Sequence, residues 1–198
     1  MKLPSASSDP AVQYCHKAAF LDRDGVINVD YGYVSRWEDF EFLPGAIEGM
    51  RLLQDAGYKL VIITNQSGIA RGYFGEGDYQ ELTAAYDDFL SRQGVTLSGI
   101  YHCPHHPDYP AVDQPSPCNC RKPAPGLLLQ AINELKINPR ESALFGDSAR
   151  DLQAGDKASV GKLYLIGSSP AFLRNAVHVT APWSASPSLL EAVKQLLL

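Results

Sequence analysis

Residues 18–25 read Ala18-Ala19-Phe20-Leu21-Asp22-Arg23-Asp24-Gly25, a short apolar run that breaks into two carboxylates and a glycine. The pattern is that of a buried strand ending in a turn. Downstream the same grammar repeats. Pro44 to Ala56 carries Ile47, Met50 and Leu53 on one helical face, with Pro near its start and Gly57 just past its end. Tyr58 to Ile63 is a β-branched run closing on Thr64-Asn65, a second buried strand. A helix is expected to open at Asp78, with Glu81 three residues later as a capping box, and to run to about Gln93 before Gly94. Gly99 to His102 reads as a third strand, followed by a long Pro- and His-containing loop that closes on Arg121-Lys122-Pro123. A helix over Pro125 to Leu135, a strand over Ser142 to Phe145 ending in Gly146-Asp147, and a strand over Gly161 to Ile166 follow. His178-Val179-Thr180 reads as one more strand, and Pro187 to Leu198 as a closing helix. Strands alternating with helices imply a parallel sheet covered on both faces, in one domain over residues 18–198.

Bulk properties agree. The 198 residues are 45% hydrophobic and 20% charged, ordinary for one α/β domain. A formal charge of −5 speaks against a nucleic-acid partner, so an anionic ligand has to meet local positive charge. Residues 1–17 are polar, with Pro4, Ser5, Ser7, Ser8 and Pro10 and no apolar core, and are expected to form a flexible arm rather than a signal peptide. No apolar run approaches the ~20 residues of a membrane helix, which points to a cytoplasmic protein without a membrane partner. A monomer is expected because no long apolar stripe is left unassigned. In a reducing compartment, clustered cysteines lean towards metal rather than disulfides.

Ligands of open α/β sheets bind beyond the carboxyl ends of the strands. Asp22, Thr64, Cys103 and Asp147 all stand there. A carboxylate such as Asp22 can attack phosphorus and split hydrolysis into two easier displacements. The second carboxyl, Asp24, is spaced to protonate the leaving alcohol and later to deprotonate water. A plain turn would account for Asp-x-Asp-Gly taken alone. Thr64 offers a hydroxyl to a phosphoryl oxygen, and Lys122 offers a charge to the nucleophile and the transferring group. Asp147 suits a magnesium ligand. Asp151, one helical turn on, either ligates through water or caps the helix.

Taken in order, Asp22-x-Asp24, Thr64, Lys122 and Gly146-Asp147-x-x-x-Asp151 resemble the motifs of the haloacid dehalogenase superfamily over residues 18 to about 168. The resemblance implies a Rossmann-like three-layer fold and a phosphoric monoester hydrolase. It implies Asp22 as nucleophile, Asp24 as general acid/base, and Mg²⁺ held by Asp22, the Asp24 carbonyl and Asp147. About forty residues separate Asp24 from Thr64, too few for a folded cap domain, so an open site is expected.

Cys103-x-His105 and Cys118-x-Cys120 supply four nitrogen and sulfur ligands, enough to close a structural Zn²⁺ shell. Such an ion would staple the long loop and place Arg121-Lys122 directly after it. His106 is the rival to His105, and His102 is expected to be structural.

The stretches 28–34, 64–74 and 103–107 with 120–123 resemble, within that superfamily, the bacterial D-glycero-D-manno-heptose-1,7-bisphosphate 7-phosphatases, which supply the heptose precursor of lipopolysaccharide core and related glycans. The resemblance implies a small phosphorylated sugar as substrate. It implies substrate contacts from Asp30, Tyr31, Gly32 and Tyr33, from Thr64, Asn65, Gln66 and Ser67, and from Arg121, whose fork suits a distal phosphate. Ser148 stands where enterobacterial members carry lysine, so no contact is carried over there. Histidinol-phosphate phosphatase shares the motifs and zinc loop and is the alternative. A polynucleotide 3′-phosphatase conflicts with the acidic balance. A non-catalytic zinc scaffold would have no need of both Asp22 and Asp24.

Overall fold

Successive residues of the central strands point to opposite faces of the sheet, and both faces are buried. The structure, a computed structural model, describes residues 14–110, 118–167 and 179–198. Its elements run β1 (Ala18–Leu21), α1 (Ala46–Asp55), β2 (Lys59–Asn65), α2 (Glu76–Arg92), β3 (Leu97–Cys103), α3 (Gly126–Leu135), β4 (Ala143–Gly146), α4 (Ala149–Lys157), β5 (Lys162–Ile166), β6 (Trp183–Ser186) and α5 (Leu189–Leu197). All six strands pair in parallel, in the order β3-β2-β1-β4-β5-β6.

On one face Ala19, Leu21, Leu60, Ile62, Ala143 and Phe145 meet apolar side chains of α1, α2 and α5, among them Met50, Leu53, Leu82, Leu90 and Val193. On the other face Ala18, Phe20, Val61, Ile63 and Leu144 meet Leu127, Ala131 and Ile132 of α3 and Leu152 of α4. Near-continuous apolar strands are what a parallel sheet with two covered faces demands. The result is the expected three-layer, Rossmann-like arrangement.

Between β1 and α1 lies a loop with one 3-10 turn at Trp37–Asp39, and no cap domain. The loop is held by an aromatic cluster: Phe40 stacks on Tyr86 at 5.3 Å and Phe42 on Phe89 at 5.1 Å. Among the described residues, no helix is long and apolar enough to cross a membrane.

Most boundaries fall within two residues of the sequence reading, and three differences bear on how the elements are read. Helix α2 begins at Glu76, and Asp78 is its third residue rather than its cap; the carboxylate reaches back to accept from Gly75 N–H at 2.7 Å. Strand β3 starts at Leu97, two residues before Gly99. The last strand is Trp183–Ser186, not 178–180: Val179 and Thr180 lie outside any strand, and His178 is outside the described residues. Edge strand β6 is half exposed and polar, so it carries no hydrophobic signature. Most of the expected arm, residues 1–13, also falls outside the described residues.

Strand order reverses between β1 and β4, and the crevice of such a sheet opens at that switch point. There Asp22 N–H donates to Phe145 O at 2.9 Å, pinning the two strand ends together.

Candidate active site

The switch-point crevice is a pocket of about 490 Å³ lined by Asp22, Asp24, Asp30, Gly32, Tyr33, Thr64, Asn65, Gln66, Ser67, Arg71, His106, Arg121, Lys122, Asp147, Ser148, Arg150 and Asp151. Its floor comes from the ends of β1 and β4. Gly25 turns with φ +80, and a Cβ there would lie 2.3 Å from Asp147 Oδ2, so only glycine lets the two loops approach.

Lys122 is the pivot. It is 3% exposed, and its Nζ reaches Asp22 Oδ2 at 2.9 Å, Asp151 Oδ1 at 2.5 Å and Ile63 O at 2.8 Å, using all three donors. Burial alone would depress the lysine, yet Asp151 and Asp22 hold it well above its ordinary value. Burial lifts Asp22 well above the usual carboxylate range, against Lys122 and helped by Asp151 and Asp147. Burial and the Asp151 charge push Asp147 up to about 7. Asp151 stays low despite its burial because Lys122 sits on it.

That balance tests the site for a cation. Asp22, Asp147 and Asp151 bring carboxylate oxygens within 4.8 Å of one another, and among the described residues Lys122 is the one cation in ion-pair contact with them. Three carboxylates against one ammonium leave a deficit of two charges, which a hard divalent ion with oxygen ligands fits. Asp151 also does the second job open to it: its Oδ2 accepts from Ser148 N–H at 3.0 Å and from the Ser148 hydroxyl, capping α4.

The loop after β2 aligns the rest. Asn65 Nδ2 donates to Lys122 O and Asn65 Oδ1 accepts from Lys122 N–H, both at 3.1 Å, so this side chain docks the lysine's backbone beside the pocket. Gln66 is buried and binds Asp24 and Thr64. Ser67 lines the pocket directly. From the loop after β1, Asp30, Gly32 and Tyr33 face the pocket. Tyr31 does not: it is exposed, donates to Glu41 Oε2 at 2.5 Å, and lines a neighbouring groove with Glu38 and Glu41. Gly32 at φ +79 and Tyr33 at φ +58 both take left-handed backbone, so the chain turns between the two tyrosines and Tyr33 lines the pocket.

Sequence reasoning did not assign Arg71, His106 or Arg150 to the site. Arg71 donates to His106 Nε2 at 2.8 Å and lies over the Tyr109 ring at 4.8 Å. His106 is held low by desolvation and by the charges of Arg71, Arg121 and Arg150, which line the same pocket. Arg71 stands inside the quoted loop 64–74, but only tertiary contact shows that it faces the pocket. Arg121 donates to His105 O at 3.0 Å, tying the pocket wall to the cysteine loop.

In that loop the ligand atoms of Cys103, His105, Cys118 and Cys120 also lie within 4.8 Å of one another. Cys103 Sγ is 3.7 Å from Cys118 Sγ and 3.7 Å from His105 Nδ1, close to the ~3.7 Å edge of a tetrahedron with ~2.3 Å zinc–sulfur bonds. The Cys120–Cys103 separation of 3.1 Å is far beyond a disulfide bond of ~2.05 Å, and all four cysteines are free. The cluster fits a closed tetrahedral ion. His106 is not part of it. His102 accepts its structural assignment, 2.9 Å from Glu76 and against Tyr79.

Comparison with known proteins gives the same outline. A family model for haloacid dehalogenase-like hydrolases matches residues 14–159. The D-glycero-beta-D-manno-heptose-1,7-bisphosphate 7-phosphatase of Haemophilus influenzae is 52% identical over 145 residues, 73% of this chain and 78% of that protein. The Pasteurella multocida protein of the same description is 43% identical over 182 residues, covering 90% and 98%. Among solved structures, a D,D-heptose 1,7-bisphosphate phosphatase from B. bronchiseptica, complexed with magnesium and phosphate, superimposes with TM-score 0.80 at 30% identity, over 91% of this chain and 98% of that one. With the motif order, the sheet topology and the paired carboxylates in agreement, the chain belongs to the haloacid dehalogenase-like hydrolases.

Proposed function

We propose that this protein is a magnesium-dependent phosphatase that removes the C7 phosphate of D-glycero-D-manno-heptose 1,7-bisphosphate, acting as a cytoplasmic monomer in heptose precursor synthesis. The observation that carries the reading is one pocket with two anion-receiving regions. The first is the Asp22, Thr64, Lys122 and Asp147 floor; the second is Arg71, Arg121 and Arg150, which line the same pocket as His106. A substrate with phosphates at both ends of a small sugar fits both, and guanidinium forks suit the phosphate that is kept. The names of the relatives support the same substrate.

In the first displacement an Asp22 oxygen bonds to phosphorus as the bond to the C7 oxygen breaks, and Asp24 gives its proton to that oxygen. Lys122 stabilises charge on the phosphoryl group, and the Thr64 hydroxyl donates to one of its oxygens. In the second, water attacks phosphorus, Asp24 takes a proton back, and the bond to Asp22 breaks. Magnesium held by Asp22, Asp147 and the Asp24 carbonyl would supply the two missing positive charges of the floor. Zinc held by Cys103, His105, Cys118 and Cys120 would fix the loop that carries Arg121 and Lys122. Thiols with no disulfide between them suit a reducing compartment.

The test is a specificity panel of heptose bisphosphate, histidinol phosphate and a 3′-phosphorylated oligonucleotide, with Asp22→Asn as control. The reading expects kcat/KM highest for the heptose bisphosphate and turnover by Asp22→Asn lowered by about a thousandfold or more. A higher kcat/KM on histidinol phosphate overturns the substrate assignment, and an active Asp22→Asn overturns the nucleophile.

A further inference from the structure

Asp24 is held by more donors than its turn requires. Its Oδ1 accepts from Arg23 Nη2 and Asn28 Nδ2, both at 3.0 Å; its Oδ2 accepts from Arg23 Nε at 3.2 Å and Gln66 Nε2 at 3.0 Å. Arg23 and Asn28 are wholly buried, and Arg23 Nη2 is fixed a second time on Val34 O at 2.9 Å. So rigid a cradle sets the rotation of the carboxylate as well as its place.

Gln66 differs from the other two. The same Nε2 that binds Asp24 donates to Thr64 Oγ1 at 2.8 Å, and the residue is 3% exposed. A carboxylate can only accept, so the amide nitrogen, not its oxygen, must face this pair. An amide N–H on the Thr64 oxygen occupies a lone pair there, which leaves the threonine proton free to point elsewhere. Thr64 lines the pocket, where a phosphoryl oxygen would receive it.

We propose that Gln66 is a positioning residue, one amide that aims Asp24 as proton donor and Thr64 as phosphoryl donor at the same bound ester. The proposal rests on the phosphatase reading above and deepens it. Gln66 lines the pocket, and in this role it acts through two other side chains. When Thr64 donates to a phosphoryl oxygen, its own oxygen becomes a better acceptor, so phosphate binding tightens the amide that orients Asp24. Asn28 holds Asp24 without touching Thr64, and serves as the comparison.

The experiment compares kcat for heptose bisphosphate, whose alkoxide needs a proton to leave, with kcat for p-nitrophenyl phosphate, whose phenolate does not. Gln66→Met fills the space without a hydrogen bond. It should lower kcat on the sugar ester by about 100-fold and on the aryl ester at least about tenfold less, the signature of lost general-acid positioning. On the aryl ester, Gln66→Met and Thr64→Val should be non-additive, while Asn28→Ala and Thr64→Val should be additive. If Gln66→Met does not fold, Gln66→Asn, one methylene too short to bridge both partners, reads the same ratio. An equal loss on both esters, or additivity of Gln66 with Thr64, overturns the proposal. Wild-type protein that turns over neither ester would instead remove the phosphatase reading.

Discussion

Lys122 has to neutralise more charge than it carries, and much of the site's behaviour follows. It is buried and bonded to both Asp22 and Asp151. Lys122→Met therefore leaves buried carboxylates without a partner and should lower unfolding free energy by about 3–5 kcal/mol, read by urea denaturation. An unchanged midpoint would mean that the ion pairs contribute nothing. The carboxylates also set a pH signature. Asp147, pushed up to about 7 by burial and Asp151, binds its proton more tightly folded than unfolded, and Asp22 is raised in the same sense. Without a divalent ion the folded state thus holds extra protons between the ordinary carboxylate range and neutrality, so stability falls as pH rises through that window. Asp151, shifted the other way, matters only below the window. Protein treated with chelator should melt lower at about pH 7.5 than at about pH 5.5, and Mg²⁺ should raise Tm more at the higher pH. A magnesium effect independent of pH would contradict the charge deficit. Asp22, Asp24, Thr64 and Asp147 were legible in sequence because each stands at or just past the end of an apolar strand, and Lys122 because it stands between the cysteine loop and the next helix. The inward fold of Arg23 and the Lys122–Asp151 pair were not, since both depend on where distant segments meet. Tyr31 and Tyr33 look equivalent in sequence, and backbone turning at Gly32 and Tyr33 separates them.

Strands and loops divide in the same way. Buried strands β1, β2 and β4 show in sequence as apolar runs, whereas edge strand β6, Trp-Ser-Ala-Ser, has half its side chains in water and shows nothing. Helix α2 was legible but begins two residues before Asp78, because a carboxylate at its third position reads in sequence like one at its cap. The cluster of Cys103, His105, Cys118 and Cys120 was legible from three thiols and an imidazole in two x-spaced pairs, and their ligand atoms meet as a metal site would require. Its link to the pocket, Arg121 to His105 O, joins residues 16 positions apart and leaves no mark in the sequence. Cys118→Ser should lower bound zinc from about one per chain towards none and cut kcat about tenfold or more, with helix and strand content kept by circular dichroism. Metal content unchanged in that variant would remove the zinc assignment, and full activity without zinc would remove its positioning role.

Six parallel strands with one reversal between β1 and β4 bring Asp22 and Asp147, 125 positions apart, to the same crevice. Alternation of strands and helices foretold the layers, and the order of the motifs foretold that the strand ends would converge; Arg121 was legible as a pocket cation, whereas Arg71 and Arg150 were hidden because they come from a separate loop and a helix start. Everything assigned to the crevice depends on a phosphoryl group passing through Asp22. Quenching the wild-type enzyme during turnover, reducing it with borohydride and digesting it with trypsin tests this directly. Reduction converts an aspartyl phosphate to homoserine, and cleavage after Lys17 and Arg23 leaves Asp22 in the peptide 18–23, separate from Asp24. Homoserine at position 22 in turning-over enzyme, and not in enzyme without substrate, is the expected result; an unmodified 18–23 peptide under turnover, or homoserine at another aspartate, would contradict it.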